Sequence, residues 1–185
     1  MATSPVDQKL IRVIGDTLQN APIILRAFNH VGHDQHVGFT LAAACAMVQK
    51  ESGGRMIWGA DPWNKAAFPK GAALDPALHE RPVTDKNYHA YASRRDKGMQ
   101  PQGCGITQLT SASLQKQADQ AGGCFDPFAN AATGFRFLRT QFENGGSEHA
   151  GFRNYNGSGP AAEAYADGAV KLAADWQSRI NHALA

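Results

Sequence analysis

Apolar residues recur at helical spacing near both ends of the chain. Val6, Leu10, Ile14 and Leu18 mark one amphipathic stripe, Pro22 can open a second short helix, and Phe39 to Glu51 form a third. That third segment is apolar on nearly every face, which predicts a helix running through the core. Further on, Thr110 or Ser111 can cap a helix reaching about Gln120. Phe128, Ala131, Phe135, Leu138 and Phe142 mark the next, beginning after Pro127. Tyr165, Ala169, Leu172, Trp176 and Ile180 define a long terminal helix that Pro160 can open. No segment alternates with period two, so the expected class is mainly α.

Between Arg55 and Gln102 the periodicity lapses. This stretch collects prolines together with His79, Arg81, Tyr88, His89, Tyr91, Arg94 and Arg95. Its best helix is Lys86 to Lys97. Structureless excursions of such length are functional or disordered, and the reading here is a cleft wall spanning residues 55–102. On that reading, trimming its centre, Leu74 to Thr84, affects binding more than stability.

Composition sets the scale. With 185 residues, 43% of them hydrophobic, the chain can bury one sizeable core, and a single domain over residues 1–185 is expected. The longest apolar run, Phe39 to Val48, is too short to cross a bilayer, and no basic, signal-like start precedes it. The expectation is a soluble monomer without membrane insertion. A formal charge of +2 suits an anionic polymer but lacks the basic clusters of a nucleic-acid binder, so no nucleic acid is expected as partner.

Cys45, Cys104 and Cys124 cannot all pair within one chain. A reduced state is the simpler reading, with a Cys104 to Cys124 bridge left open. Cys104 is read as a small buried residue rather than a nucleophile, since no histidine partner lies near it in sequence. His30, His33 and His36, with Asp34, invite a metal reading. Their spacing on a segment containing Gly32 fixes no tetrahedral site, so they are taken as loop histidines and no metal is expected.

The candidate chemistry starts in AMVQKESGGRMIWGADPW, Ala46 to Trp63. Glu51 closes the apolar helix, with Met47, Ala44 and Leu41 roughly on its face. Gly53 and Gly54 then offer the left-handed conformation that ends a helix. Glu51 is either a solvated helix end or a carboxyl group whose pKa desolvation raises, the condition for a general acid near neutral pH. Two further segments follow. GCGITQLT, Gly103 to Thr110, is a glycine-rich turn carrying Gln108. FRNYNGSG, Phe152 to Gly159, places Tyr155 and Asn156 in a turn before the terminal helix.

A helix ending in ESGG, a GxGxxQLT strip, an amphipathic helix, YNGSG and a last helix, in that order, resembles the goose-type lysozymes and soluble lytic transglycosylases. The likeness covers roughly Phe39 to Gln177, interrupted by the excursion. It implies a lysozyme-like fold with a long insertion between the catalytic Glu helix and the strip, and cleavage of peptidoglycan glycan strands. It makes Glu51 the general acid. WGAD, Trp58 to Asp61, is similar to a family segment in which the aspartate positions water. Asp61 is thus a second catalytic candidate, or else a turn residue before Pro62. Gln108, Tyr155 and Asn156 would line the sugar-binding cleft. Trp58 and Trp63 either stack on sugar rings or plug the cleft wall.

Two departures bear on mechanism. Thr110 stands where goose-type lysozymes carry a second water-holding aspartate, and Thr107 replaces the methionine of the usual strip. The resemblance implies a muramidase cutting the β-1,4 bond between N-acetylmuramic acid and N-acetylglucosamine, with hydrolysis preferred over the transglycosylase route to 1,6-anhydro products because the WGAD match places Asp61 shortly after Glu51. The alternatives are a chitinase-like glycosidase and a non-catalytic glycan-binding or virion structural domain. A bacteriophage endolysin, kept in the host cytoplasm until released to the wall, is the setting the class implies. No cofactor is needed, because carboxyl-acid glycan cleavage uses neither metal nor nucleotide.

Overall fold

The computed structural model describes residues 4–32, 34 and 36–185. It is mainly helical, 61% helix, with eight α-helices and no strands among the described residues. They are α1 (Pro5–Gly15), α2 (Ala21–Val31), α3 (Leu41–Glu51), α4 (Asp85–Arg95), α5 (Ala112–Gln120), α6 (Pro127–Gly145), α7 (Glu148–Asn156) and α8 (Pro160–Leu184).

The boundaries follow local chemistry. Ser4, Thr40, Thr84, Ser111, Asp126 and Ser147 each accept a backbone N–H in the first turn of the helix they precede, and Pro5, Pro127 and Pro160 stand in first turns. The cap before α5 is therefore Ser111, not Thr110. α3 begins two residues later than Phe39 because Thr40 caps it. α1 ends at Gly15, short of Leu18, which is still buried in the core.

α3 buries every residue from Ala42 to Val48, as its all-round apolar sequence predicts. It lies along α8 and touches α2, while α6 packs on α2 and α7. One hydrophobic cluster joins these helices through Ile14, Ile24, Phe39, Met47, Phe135, Leu138, Phe142, Phe152 and Trp176. α7 escaped the sequence reading. It is only nine residues long, and its buried residues are Gly151 and Phe152. Phe152 meets Phe142 edge-on at 5.0 Å. Gly151 lets the two helices touch, since a Cβ there would stand 1.8 Å from the Phe142 ring.

The excursion has a core of its own. Trp58, Ala73, Leu74, Val83, Tyr88 and Tyr91 form a second cluster with Cys104, Leu109, Ala118 and Cys124, and Met56 packs against both clusters. Isolated bridges, Ile57 with Pro82 and Ala72 with Gln100, tie the loop to itself. Arg95, at the end of α4, is buried. It donates to Asp119 (3.0 Å), to the Tyr88 hydroxyl (2.8 Å) and to its neighbour Asp96 (3.1 Å), pinning α4 to the end of α5. The excursion is thus a packed subassembly in which Leu74 and Val83 are core residues, contrary to their expected place in a trimmable wall.

The three cysteines are free and buried, so Cys104 and Cys124 form no bridge. The Cys104 Sγ faces the Cys124 carbonyl at 3.7 Å, and burial pushes its pKa well above the usual thiol value. His30 is exposed and packs edge-on against Phe128, Asp34 pairs with Arg139 at 3.3 Å, and His36 is exposed. His33 lies outside the described residues. No described helix is long and apolar enough to cross a membrane.

Candidate active site

α3 stops at Glu51 because the backbone leaves the helical region at Ser52 (φ −148°), then turns through positive φ at Gly53 (64°) and Gly54 (81°). Gly54 is pressed against the backbone of Gln19. A Cβ there would lie 2.2 Å from the Gln19 carbonyl oxygen, so only glycine lets this turn close. Ser52 points inward. Its hydroxyl donates to the Ile106 carbonyl (2.7 Å) and accepts from the Gly54 N–H (3.1 Å), stitching the end of α3 to the glycine strip.

The strip is held from both sides. The Gly59 N–H donates to the Gly103 carbonyl (2.7 Å) and the Gly105 N–H to that of Ile57 (2.9 Å), so residues 57–59 run beside it. From α6, the buried Asn130 accepts the Thr107 N–H (3.1 Å) and donates to the Cys104 carbonyl (2.9 Å). Gln108 adopts the left-handed conformation (φ 46°), uncommon for a residue with a side chain. Its amide nitrogen donates to the carbonyls of Ile57 (3.0 Å) and Gly105 (2.8 Å). Gln108 thus fastens the strip, and its oxygen lies over Gly59 and Gly103.

Glu51 is half-buried where these pieces meet, and Tyr165 of α8 donates its hydroxyl to the Glu51 Oε1 at 2.5 Å. Burial is the dominant influence and raises the carboxyl pKa to about 7, assisted by the Asp61 carboxylate and opposed by the Tyr165 hydrogen bond and by Lys50. The Lys50 ammonium sits over the Tyr165 ring, 4.7 Å from its centre. Asp61 faces the same cleft, but its Oδ2 accepts the Gly103 N–H at 2.7 Å, so half of its carboxylate braces the strip.

A cleft of about 810 Å³ opens between the strip and the excursion. Glu51, Asp61, Gln108, Thr110 and Asn156 line one part, and Asn64, Phe68, Met99 and Gln100 line the excursion side. The wall is thus residues 59–68 and 95–101 rather than the centre of the excursion. A smaller pocket of about 90 Å³ lies beside Glu51, bounded by Leu109, Leu114, Phe137 and Tyr155 with Gln108, Thr110 and Asn156.

The structure brings together five of the six residues singled out from sequence: Glu51, Asp61, Gln108, Tyr155 and Asn156 all border these two spaces. Tyr155 and Asn156 do so from the last turn of α7, not from a loop. The Tyr155 hydroxyl donates to the Thr107 carbonyl (2.7 Å), and its ring packs on Phe137, so it supports the pocket floor. Trp58 is the exception. It is fully buried, stacked on Tyr88 with centroids 6.1 Å apart and tilted against Tyr91 at 4.6 Å, and it cannot reach a ligand in the cleft.

Two residues that complete the site were not singled out. Tyr165 looked like one more position of the α8 apolar stripe, and the one signal was a hydroxyl on that stripe. Ser52 followed Glu51 without a visible partner, since Ile106 is 54 positions away. Comparison of the chain with protein-family models, curated proteins and solved structures gives no match.

Proposed function

We propose that this chain is a glycosidase of lysozyme-like fold, a muramidase that cuts the β-1,4 bond between N-acetylmuramic acid and N-acetylglucosamine. The observation that carries the reading is Glu51: a half-buried carboxyl group at the end of a core helix, open to a long cleft, with a pKa raised to about 7. Such a group keeps about half its population protonated near neutral pH, where an ordinary carboxyl group is almost fully ionised, and can deliver its proton to a leaving glycosidic oxygen. The small pocket beside it, with apolar walls and amide-bearing residues at its edge, suits an acetamido substituent in size and chemistry.

In hydrolysis, Asp61 guides water to the anomeric carbon through the oxygen that does not hold Gly103. A second reading, lytic transglycosylation, is favoured by the bond from Gly103 to Asp61, which ties up part of the water-guiding carboxylate. There the sugar's own 6-hydroxyl attacks, and the product carries a 1,6-anhydro ring. Digestion of purified peptidoglycan with mass analysis of the fragments tests both. Reducing muramic ends, with the rate much reduced in Asp61→Asn, support hydrolysis, and anhydro ends with Asp61→Asn still active support the second route. No turnover of peptidoglycan by the folded wild type overturns the proposal, and turnover of chitin alone moves the substrate to N-acetylglucosamine polymers.

A further inference from the structure

Trp63 is the aromatic residue that the site above leaves unused. The other two tryptophans, Trp58 and Trp176, are buried at 0% and 1% exposure, whereas Trp63 is 48% exposed. An indole on a surface loop ordinarily turns its face inward or moves freely. This one is held outward. Its Nε1 donates to the Phe68 carbonyl at 2.9 Å. The residues on either side are cross-braced to one buried amide: Gln100 donates to the Pro62 carbonyl (3.0 Å) and accepts the Asn64 N–H (2.6 Å). Asp61, Asn64, Phe68 and Gln100 all line the cleft, so the indole stands on the same rigid loop that forms the excursion wall, just outside the lining itself.

We propose that Trp63 is a stacking platform for a hexosamine ring of the glycan strand, an outlying subsite beyond the sugars bound at Glu51. This rests on the glycosidase reading of the cleft. A pyranose offers an apolar face of C–H groups to an aromatic plane, and a platform that is already ordered loses little entropy on binding. The Gln100 brace supplies that order. A strand long enough to leave the cleft over the excursion wall gains this contact, and a single disaccharide does not. The subsite therefore favours long strands over short fragments.

The test uses the full chain and soluble, peptide-free glycan strands, with a single disaccharide as the short probe. Because Trp63 is the exposed tryptophan, acrylamide quenching of intrinsic fluorescence reads it selectively. In Glu51→Gln, which binds without cutting, strands should shield Trp63 from acrylamide while the disaccharide leaves it accessible. In otherwise wild-type protein, Trp63→Ala should raise KM for strands roughly threefold to tenfold with kcat unchanged, and Trp63→Phe should recover much of the loss. Strands that bind and are cut without shielding Trp63, or a Trp63→Ala protein with unchanged KM, overturn the subsite and leave the glycosidase standing. Wild type that neither binds nor cuts strands overturns both.

Discussion

At the scale of single residues, Glu51 controls the behaviour that pH can reveal. Its carboxyl pKa is about 7 in the folded chain against an ordinary 4.5, so the folded state holds this proton more tightly than the unfolded one. Stability from this group is therefore greatest at low pH. It declines as pH rises from about 4.5 to about 7, and then levels off. Glu51→Gln removes the charge that must be desolvated and can keep the Tyr165 hydrogen bond. Its melting temperature should exceed that of wild type above pH 7, and thermal scans between pH 4 and 8 should lose the slope this group contributes. On the proposed glycosidase reading, turnover of peptidoglycan should fall by a factor of about a hundred to ten thousand, since an amide cannot deliver the proton. Tyr165 opposes the raised pKa by donating to the carboxylate. Tyr165→Phe should therefore shift the falling, alkaline limb of the rate profile to higher pH, by about one unit. A limb that stays in place would mean that another group titrates there.

At the scale of elements, the glycine strip depends on α6 as well as on its own sequence. Asn130 lies in the first turn of α6, where its buried side chain satisfies the Thr107 N–H and the Cys104 carbonyl, both buried. Asn130→Ala leaves the buried Thr107 N–H unpaired, while the Cys104 carbonyl keeps the Leu109 N–H (3.1 Å), and should cost about 1–3 kcal/mol, measured by denaturant unfolding. Activity per folded molecule should fall too, because Gln108 and the strip lose their support from below. The helices themselves were largely legible, since caps and apolar stripes are local signals: Ser111, Pro127 and Pro160 stand at or just before the helix starts read from them. α7 was less legible: Ser147 caps it, but its nine residues bury only Gly151 and Phe152, which are held by Phe142 and by the close approach at Gly151, contacts made across helices.

At the scale of the whole molecule, two hydrophobic clusters flank one cleft, and the second belongs to the excursion. Leu74 is 1% exposed and Val83 7%, both in that second core. Deleting residues 74–84 should therefore unfold or strongly destabilise the excursion, opposite to the expectation from sequence. Leu74→Ala alone should cost about 2–5 kcal/mol by chemical denaturation. Removing the buried Arg95 guanidinium with Arg95→Met should cost about 1–3 kcal/mol: Asp119 and the Tyr88 hydroxyl lose its hydrogen bonds but keep the one between them (2.8 Å), and Asp119 is partly exposed. Near-wild-type stability in either variant would show that the excursion is not a cooperative part of the molecule.

The sequence by itself determined the helical class, α3 as the central apolar element, and the run of ESGG, GCGITQLT and YNGSG segments, all of which depend on residues close together in the chain. Tertiary structure alone decided which side chains meet. Tyr165 reaches Glu51 across 114 positions, Ser52 reaches Ile106 across 54, and Gly103 reaches Asp61 across 42. It also sent Trp58 into the core while holding Trp63 outside, although both read from sequence as the same kind of residue. Periodicity and capping are set by neighbours within a few positions. The acidity of Glu51 is set by burial, which no local pattern encodes, because it depends on how α8, the strip and the excursion close around it.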